Sequence, residues 1–183
     1  MKKIFILFSL FVICLMVDAQ NPCPQVIPAL QQWKGAKGSL SLPTQGNIII
    51  NPSNEEALAS TAFILMEDLK ELMGWEYTIS TGKAQKNGIY LSLSEPDEQL
   101  DKEGYTLSIT NKVSSEAPTT QGIFGGTRTL LQMLHRQKAK LTKGTILDWP
   151  EFSNRGFMLD VGRKFFNLDY LKQQIKVLSF YKM

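Results

Sequence analysis

The 183-residue chain is 43% hydrophobic and 20% charged, an ordinary globular composition that excludes disorder along its whole length. Twenty Lys and Arg nearly balance 17 Asp and Glu, the formal net charge is +3, and no long run of one sign occurs. Nothing in this balance points to a nucleic-acid partner.

The opening "MKKIFILFSLFVICLMVDAQ" sets Lys2 and Lys3 before an apolar stretch from Ile4 to Met16, then Val17 and Ala19 at the two small-residue positions of a cleavage site. This is the pattern of a secretory signal peptide over residues 1–19. The stretch is shorter than the ~20 residues that span a bilayer, so no membrane span is expected. Cys14 follows Ile13, where a lipid-modified export signal prefers a small residue. Export would leave the protein periplasmic or extracellular if bacterial. The mature chain would keep one cysteine, Cys23, so stability must come from core packing without an internal disulfide.

"CPQVIPALQQWKGAKGSLSLP" (23–43) is punctuated by Pro and Gly and reads as an extended lead into the first strand. "NIIIN" (47–51) is a β-branched run closed by Pro52, a strand signal. In "SNEEALASTAFILMEDLKELMG", Ser53 and Glu56 have capping-box spacing and Gly74 supplies a stop. Leu58, Ala62, Leu65, Leu69 and Leu72 recur at helical spacing, which predicts one buried stripe. Strands follow at "EYTIS" (76–80), "GIYLSLS" (88–94) and "GYTLSIT" (104–110), the last two alternating like a sheet with one covered face.

The connector "EPDEQLDKEG" lacks the regular acid spacing of a calcium loop. "GIFGGTRTLLQMLHR" runs from a Gly-rich turn into a second helix bearing Leu130, Leu131 and Leu134. Its glycines lack dinucleotide or P-loop spacing and serve close packing. The lone histidine, His135, suits a helix end rather than a metal cluster, and no cofactor or metal is expected. Together these elements predict an α+β domain, a mainly antiparallel sheet with helices on one face, over residues 20–148. Gly144 and Pro150 in "GTILDWPEF" mark its boundary.

Residues 149–183 change character. "GFMLDV" (156–161) is nearly continuous apolar sequence, as in a strand buried on both faces. Asn167 can then cap a helix with Leu168, Leu171, Ile175 and Leu178 along one stripe. A buried strand, a loop and a packing helix form one β/α unit, which cannot bury itself and belongs in a parallel structure such as a (β/α)8 barrel. In that setting Asp160, Arg163 and Lys164 lie near the mouth, and Arg155 enters at the strand's start.

"SNRGFMLDVGRKFFNLDYLKQQIKVLSFYKM" resembles the opening β/α unit of glycoside hydrolase family 20, the β-N-acetylhexosaminidases, whose barrels begin R-G-x-M-L-D-x-x-R-H-F-F. "EGYTLSIT" with "QGIFGGTRTLLQML" is similar to the family's preceding non-catalytic domain, where a Y-x-L strand leads to G-x-F-x-G-x-x-T-L-x-Q. The resemblance implies that Arg155 binds hydroxyls of a terminal sugar, with a salt bridge at the barrel's base as the alternative. It implies an ion pair of Asp160 and Arg163 that orients the site, a structural pair being the alternative. Lys164 replaces the usual His.

The resemblance further implies N-acetylhexosamine-containing glycans as partners and a substrate-assisted retaining hydrolysis, with catalysis by an Asp-Glu pair on a later barrel strand. No such dipeptide occurs after residue 148, where Glu151, Asp160 and Asp169 are the only acids. The expectation is therefore an N-terminal part of an exported hexosaminidase, truncated after one barrel unit and inactive alone, with no catalytic residue of its own. The alternative is a secreted, non-catalytic carbohydrate-binding or scaffold module. The oligomeric state is not legible.

Overall fold

A computed structural model describes residues 20–183. The signal-peptide reading of residues 1–19, Cys14 included, lies outside the described residues. Seven strands and three helices follow in order: β1 (Gln32–Ser41), β2 (Gln45–Ile50), α1 (Glu55–Met73), β3 (Glu76–Thr81), β4 (Ile89–Leu93), β5 (Tyr105–Ile109), β6 (Val113–Ala117), α2 (Thr120–Gln137), β7 (Lys140–Asp148) and α3 (Leu168–Phe180).

The strands form one sheet in the order β1-β7-β5-β6-β4-β2-β3. It is mixed: β3, β2, β4 and β6 run parallel, while β5 pairs antiparallel with β6 and β7, and β1 antiparallel with β7. The expected antiparallel pairing holds for the β1/β7/β5/β6 half. The other half is parallel because α1 is a crossover that returns the chain beside β2, which hairpins cannot do. Where residues 23–43 read as an extended lead-in, they contain β1 itself, with a register shift between Gly35 and Ser39.

One face of the sheet is apolar in register. Ile48 pairs with Ile89, Ile50 with Leu91, Ile109 with Val113 and Leu107 with Ile146, and all of these are buried. Both α1 and α2 pack there and touch each other. Leu58, Ala62, Leu65 and Leu69 of α1 are buried as expected, but Leu72 is 45% exposed, at the margin of a stripe whose last turn packs Met73 on the core instead, before Gly74 ends the helix at φ 68°. Burying each such Leu or Ile stabilises the fold by about 1.5–3 kcal/mol.

The capping box does not form. Residues Pro52–Asn54 make a 3-10 turn whose first amide, Ser53 N–H, donates to Asn51 Oδ1 at 3.1 Å. Asn54 precedes α1, but its Oδ1 accepts instead from the Leu93 amide at 2.9 Å, tying the helix start to the end of β4. At α2 the cap is side-chain made: Thr119 Oγ1 accepts from Gly122 N–H at 3.1 Å.

The glycines expected in a turn before α2 lie inside it, and their lack of a side chain sets the helix against the sheet. A Cβ on Gly122 would sit 2.2 Å from the Gly104 carbonyl oxygen and 2.7 Å from Ala117 Cβ. One on Gly126 would sit 2.5 Å from Ser115 Oγ, whereas on Gly125 the nearest atom is the Tyr105 ring at 3.3 Å. The obstacle at Gly122 is backbone and cannot rotate away. Gly122→Ala should therefore destabilise the domain by about 3 kcal/mol, whereas Gly125→Ala should stay within about 1 kcal/mol. Urea denaturation midpoints measure both, and equal midpoints would refute the close-approach account.

Candidate functional site

Beyond β7 the chain differs from the expectation for residues 156–161. "GFMLDV" forms no strand: Phe157 is 57% exposed, Met158 93% and Val161 60%. A strand exists only with neighbours to accept its backbone hydrogen bonds, and no strand of the sheet pairs with this run. Asn167 does cap α3, its Oδ1 accepting from Tyr170 N–H at 2.8 Å. The stripe of α3 is not buried; Leu168 is 64% and Ile175 66% exposed.

The singled-out residues do not converge. Asp160 and Arg163 form an ion pair at 3.5 Å on the surface, and Asp160 Oδ1 also accepts from Gly162 N–H at 2.9 Å. The Lys164 ammonium lies 5.8 Å from the centre of the Phe166 ring, stacked in turn on Tyr170. Arg155 alone turns inward. Its Nη1 donates to Phe152 O at 2.6 Å, its Nε to Lys182 O at 2.9 Å, and its Nη2 pairs with Glu103 just before β5.

Arg155 lines a cavity of about 820 Å³ between the sheet domain and residues 149–183, along with Phe124, Trp149, Phe152 and the polar pair Asp148 and Lys182. Its floor is a hydrogen-bonded cluster that the sequence reading did not single out. Asp148 Oδ2 accepts from the Tyr105 hydroxyl at 2.5 Å and from the Lys182 ammonium at 2.9 Å. The Tyr105 and Thr129 hydroxyls are 2.6 Å apart, and Asp148 Oδ1 accepts from Gln31 N–H at 3.1 Å. Tyr105 and Thr129 stand in the two recognised motifs, which was the available signal. Asp148 was visible only as part of a boundary, and Lys182 carried no signal at all.

A second buried charge ties the helices together. Arg128 of α2, 3% exposed, bonds Asp68 of α1 through Nη1 at 2.5 Å and stacks over Phe124 at 4.4 Å. Burial lowers its pKa, and Asp68 works against that shift. Cys23 is free and exposed, its thiol pushed up by partial burial. His135 sits exposed in the last turn of α2. Among the described residues no group of three or more His, Cys, Asp or Glu could hold a metal ion, and no helix is long and apolar enough to cross a membrane.

The sequence order of these parts matches a known arrangement. A family model described as glycosyl hydrolase family 20, domain 2, covers residues 23–149, and the family 20 catalytic domain matches residues 152–183. The chain belongs to glycoside hydrolase family 20. It is 27% identical to a beta-hexosaminidase of Porphyromonas gingivalis over 169 residues, 86% of this chain and 21% of that protein. It is 28% identical to a lacto-N-biosidase of Bifidobacterium bifidum over 138 residues, 74% of this chain and 12% of that one. In fold it is similar to the N-acetyl-beta-hexosaminidase of Streptomyces plicatus, with TM-score 0.71 and 26% identity over 90% of this chain and 34% of that chain. The family 20 chain described here thus spans about a third or less of the relatives it matches.

Burial raises the Tyr105 pKa well above its ordinary value, and the adjacent Asp148 carboxylate raises it further. Tyr77, whose hydroxyl donates to Pro43 O at 2.8 Å, is pushed up to about 12 by burial. An unfolded tyrosine ionises near ~10, so these raised values contribute stability that is complete below that pH and is lost as pH climbs toward the folded values. Unfolding free energy should fall steadily above pH ~10, and the fall should be shallower in Tyr105→Phe and in Tyr77→Phe. Chemical denaturation at stepped alkaline pH reads this directly; slopes identical to the parent in both variants would contradict it.

Proposed function

We propose that this chain is the front of an exported β-N-acetylhexosaminidase, an enzyme that removes terminal N-acetylhexosamine residues from glycans by a substrate-assisted retaining mechanism. The observation that carries the reading is the succession, in one chain, of a family 20 domain 2 match and a family 20 catalytic-domain match beginning at residue 152. The R-G-F-M-L-D-V-G-R run of residues 155–163 falls inside the second match. The beta-hexosaminidase of P. gingivalis and the S. plicatus enzyme support the substrate class. The Lys-rich, apolar opening supports export.

On this reading the sheet domain is an accessory scaffold, residues 149–183 open the barrel, and chemistry belongs to sequence outside this chain. A glutamic acid on a later strand would protonate the leaving glycosidic oxygen. A neighbouring aspartate would orient the substrate's 2-acetamido group as its oxygen attacks the anomeric carbon. Of the three acids after residue 148, Asp160 is paired on the surface with Arg163, Asp169 lies in the first turn of α3, and Glu151 lines the cavity with Asp148 and Glu103, which are engaged by Lys182 and Arg155. Arg155 is the residue here best suited to grip vicinal sugar hydroxyls, since its planar donors match two oxygens at once. The surface pair Asp160 and Arg163 would turn inward to order the site once further barrel strands cover it.

The reading of a self-contained carbohydrate-binding module is weaker, because Met158, Phe165 and Ile175 would remain in solvent. Two proteins decide between them: the 183-residue chain, and the product of the same gene read onward past residue 183. The longer product should hydrolyse a chromogenic N-acetylglucosaminide, and Arg155→Ala should lower its kcat/KM by a factor of about 100. The 183-residue chain should show no turnover. Hydrolysis by the short chain, or tight monomeric binding of amino-sugar oligosaccharides by it, would overturn the proposal.

A further inference from the structure

The cluster on the cavity floor has a shape that its internal bonds do not explain. Tyr105 comes from β5, Thr129 from α2 and Asp148 from the end of β7, and they are 1%, 0% and 4% exposed. Three oxygens from three elements therefore converge on one desolvated spot. Asp148 is held there independently of any cation, by the Tyr105 hydroxyl and the Gln31 amide. The Lys182 ammonium fills the spot, donating to Asp148 Oδ2 at 2.9 Å, Thr129 Oγ1 at 3.1 Å and Tyr105 Oη at 3.2 Å. Its three hydrogens meet three acceptors, which is the full capacity of a lysine.

A second tether is the partly buried Arg155–Glu103 ion pair, and the rest of the attachment is slight. No residue of α3 is buried. The Lys176–Glu71 ion pair is more than half exposed on both sides, so solvent screens it. Phe180 packs against the core edge while its carbonyl accepts from Gln132 Nε2 at 2.8 Å. Arg155 bonds the Lys182 carbonyl, so its guanidinium leans on the same backbone as the ammonium.

We propose that Tyr105, Thr129 and Asp148 form a lysine receptor in the accessory domain, and that insertion of Lys182 into it fixes where residues 149–183 attach. If those residues open a catalytic barrel, a point that rests on the preceding section, the receptor sets the joint between accessory domain and barrel and holds the backbone beneath Arg155. The receptor acts through position. It takes no part in bond making or breaking.

Hydrogen exchange on the 183-residue chain, read peptide by peptide, tests this without any hydrolysis assay, so its failure and that of the enzyme reading are separable. In Lys182→Met, which keeps the stem and loses the charge, α3 amides should exchange at least about tenfold faster while β5 and β4 amides stay within about twofold. Lys176→Met should leave α3 within about twofold, because that pair is solvent-screened. If Lys182→Met loosens the whole domain by stranding a buried carboxylate, the double variant Asp148→Asn/Lys182→Met decides. It should recover sheet protection and leave α3 fast. Parent-like α3 protection in Lys182→Met, or its return in the double variant, would overturn the receptor.

Discussion

The polar seat of Lys182 depends on how closely α2 lies on the sheet. Gly122 and Gly126 face Gly104, Ala117 and Ser115 at distances that leave no room for a methyl group. Because the helix sits that low, Thr129, one turn further on, comes within hydrogen-bond reach of the Tyr105 hydroxyl. Tyr105 in turn carries Asp148 from the last strand. A close approach of helix to sheet is thereby converted into a polar site at the end of β7. The same descent brings Arg128 against Asp68, so the two helices are locked by a charge pair that neither could shelter alone.

The topology explains why the site lies where it does. α1 crosses between the parallel neighbours β2 and β3, and α2 carries the chain from β6 past β5 to β7. Both crossovers use the same face, leaving the opposite face with Thr106, Ser108, Ser114 and Glu116, none of them buried. The end of β7 is the point where the chain leaves the sheet on the helix side. Asp148, its last residue, can therefore look both into the domain and toward whatever follows.

Much of this was legible, and the failures are instructive because each has a separate cause. Strands β2, β3, β4 and β5 carry β-branched or alternating residues, and both domain helices announce themselves by periodicity. β6 ("VSSEA") and β7 ("KLTKGTILD") hide because central strands in a polar-faced sheet need apolar side chains only at every second position, and Ser115 fills one of those. The capping box at Ser53 failed because Asn51 and Asn54 offered better-placed oxygens to the 3-10 turn and to β4. Periodicity sees neither a cross-strand competitor nor a lysine with one good receptor. Lys182 follows α3 with no pattern around it, and its role exists only once Tyr105, Thr129 and Asp148 are brought together in space.

The fate of residues 156–161 separates two kinds of information that a sequence carries. Their apolar run states what environment the backbone needs, a strand with covered faces. It does not supply the partners. Without flanking parallel strands the amides of this run have no ladder, and water satisfies them at the cost of exposing Phe157 and Met158. α3 can form in the same segment because a helix closes its hydrogen bonds internally and needs only its Asn167 cap to begin. A segment that is helical but strandless is thus what local chemistry alone produces. The buried lysine seat then holds one end of that segment to the sheet domain, through contacts that local helix chemistry does not provide.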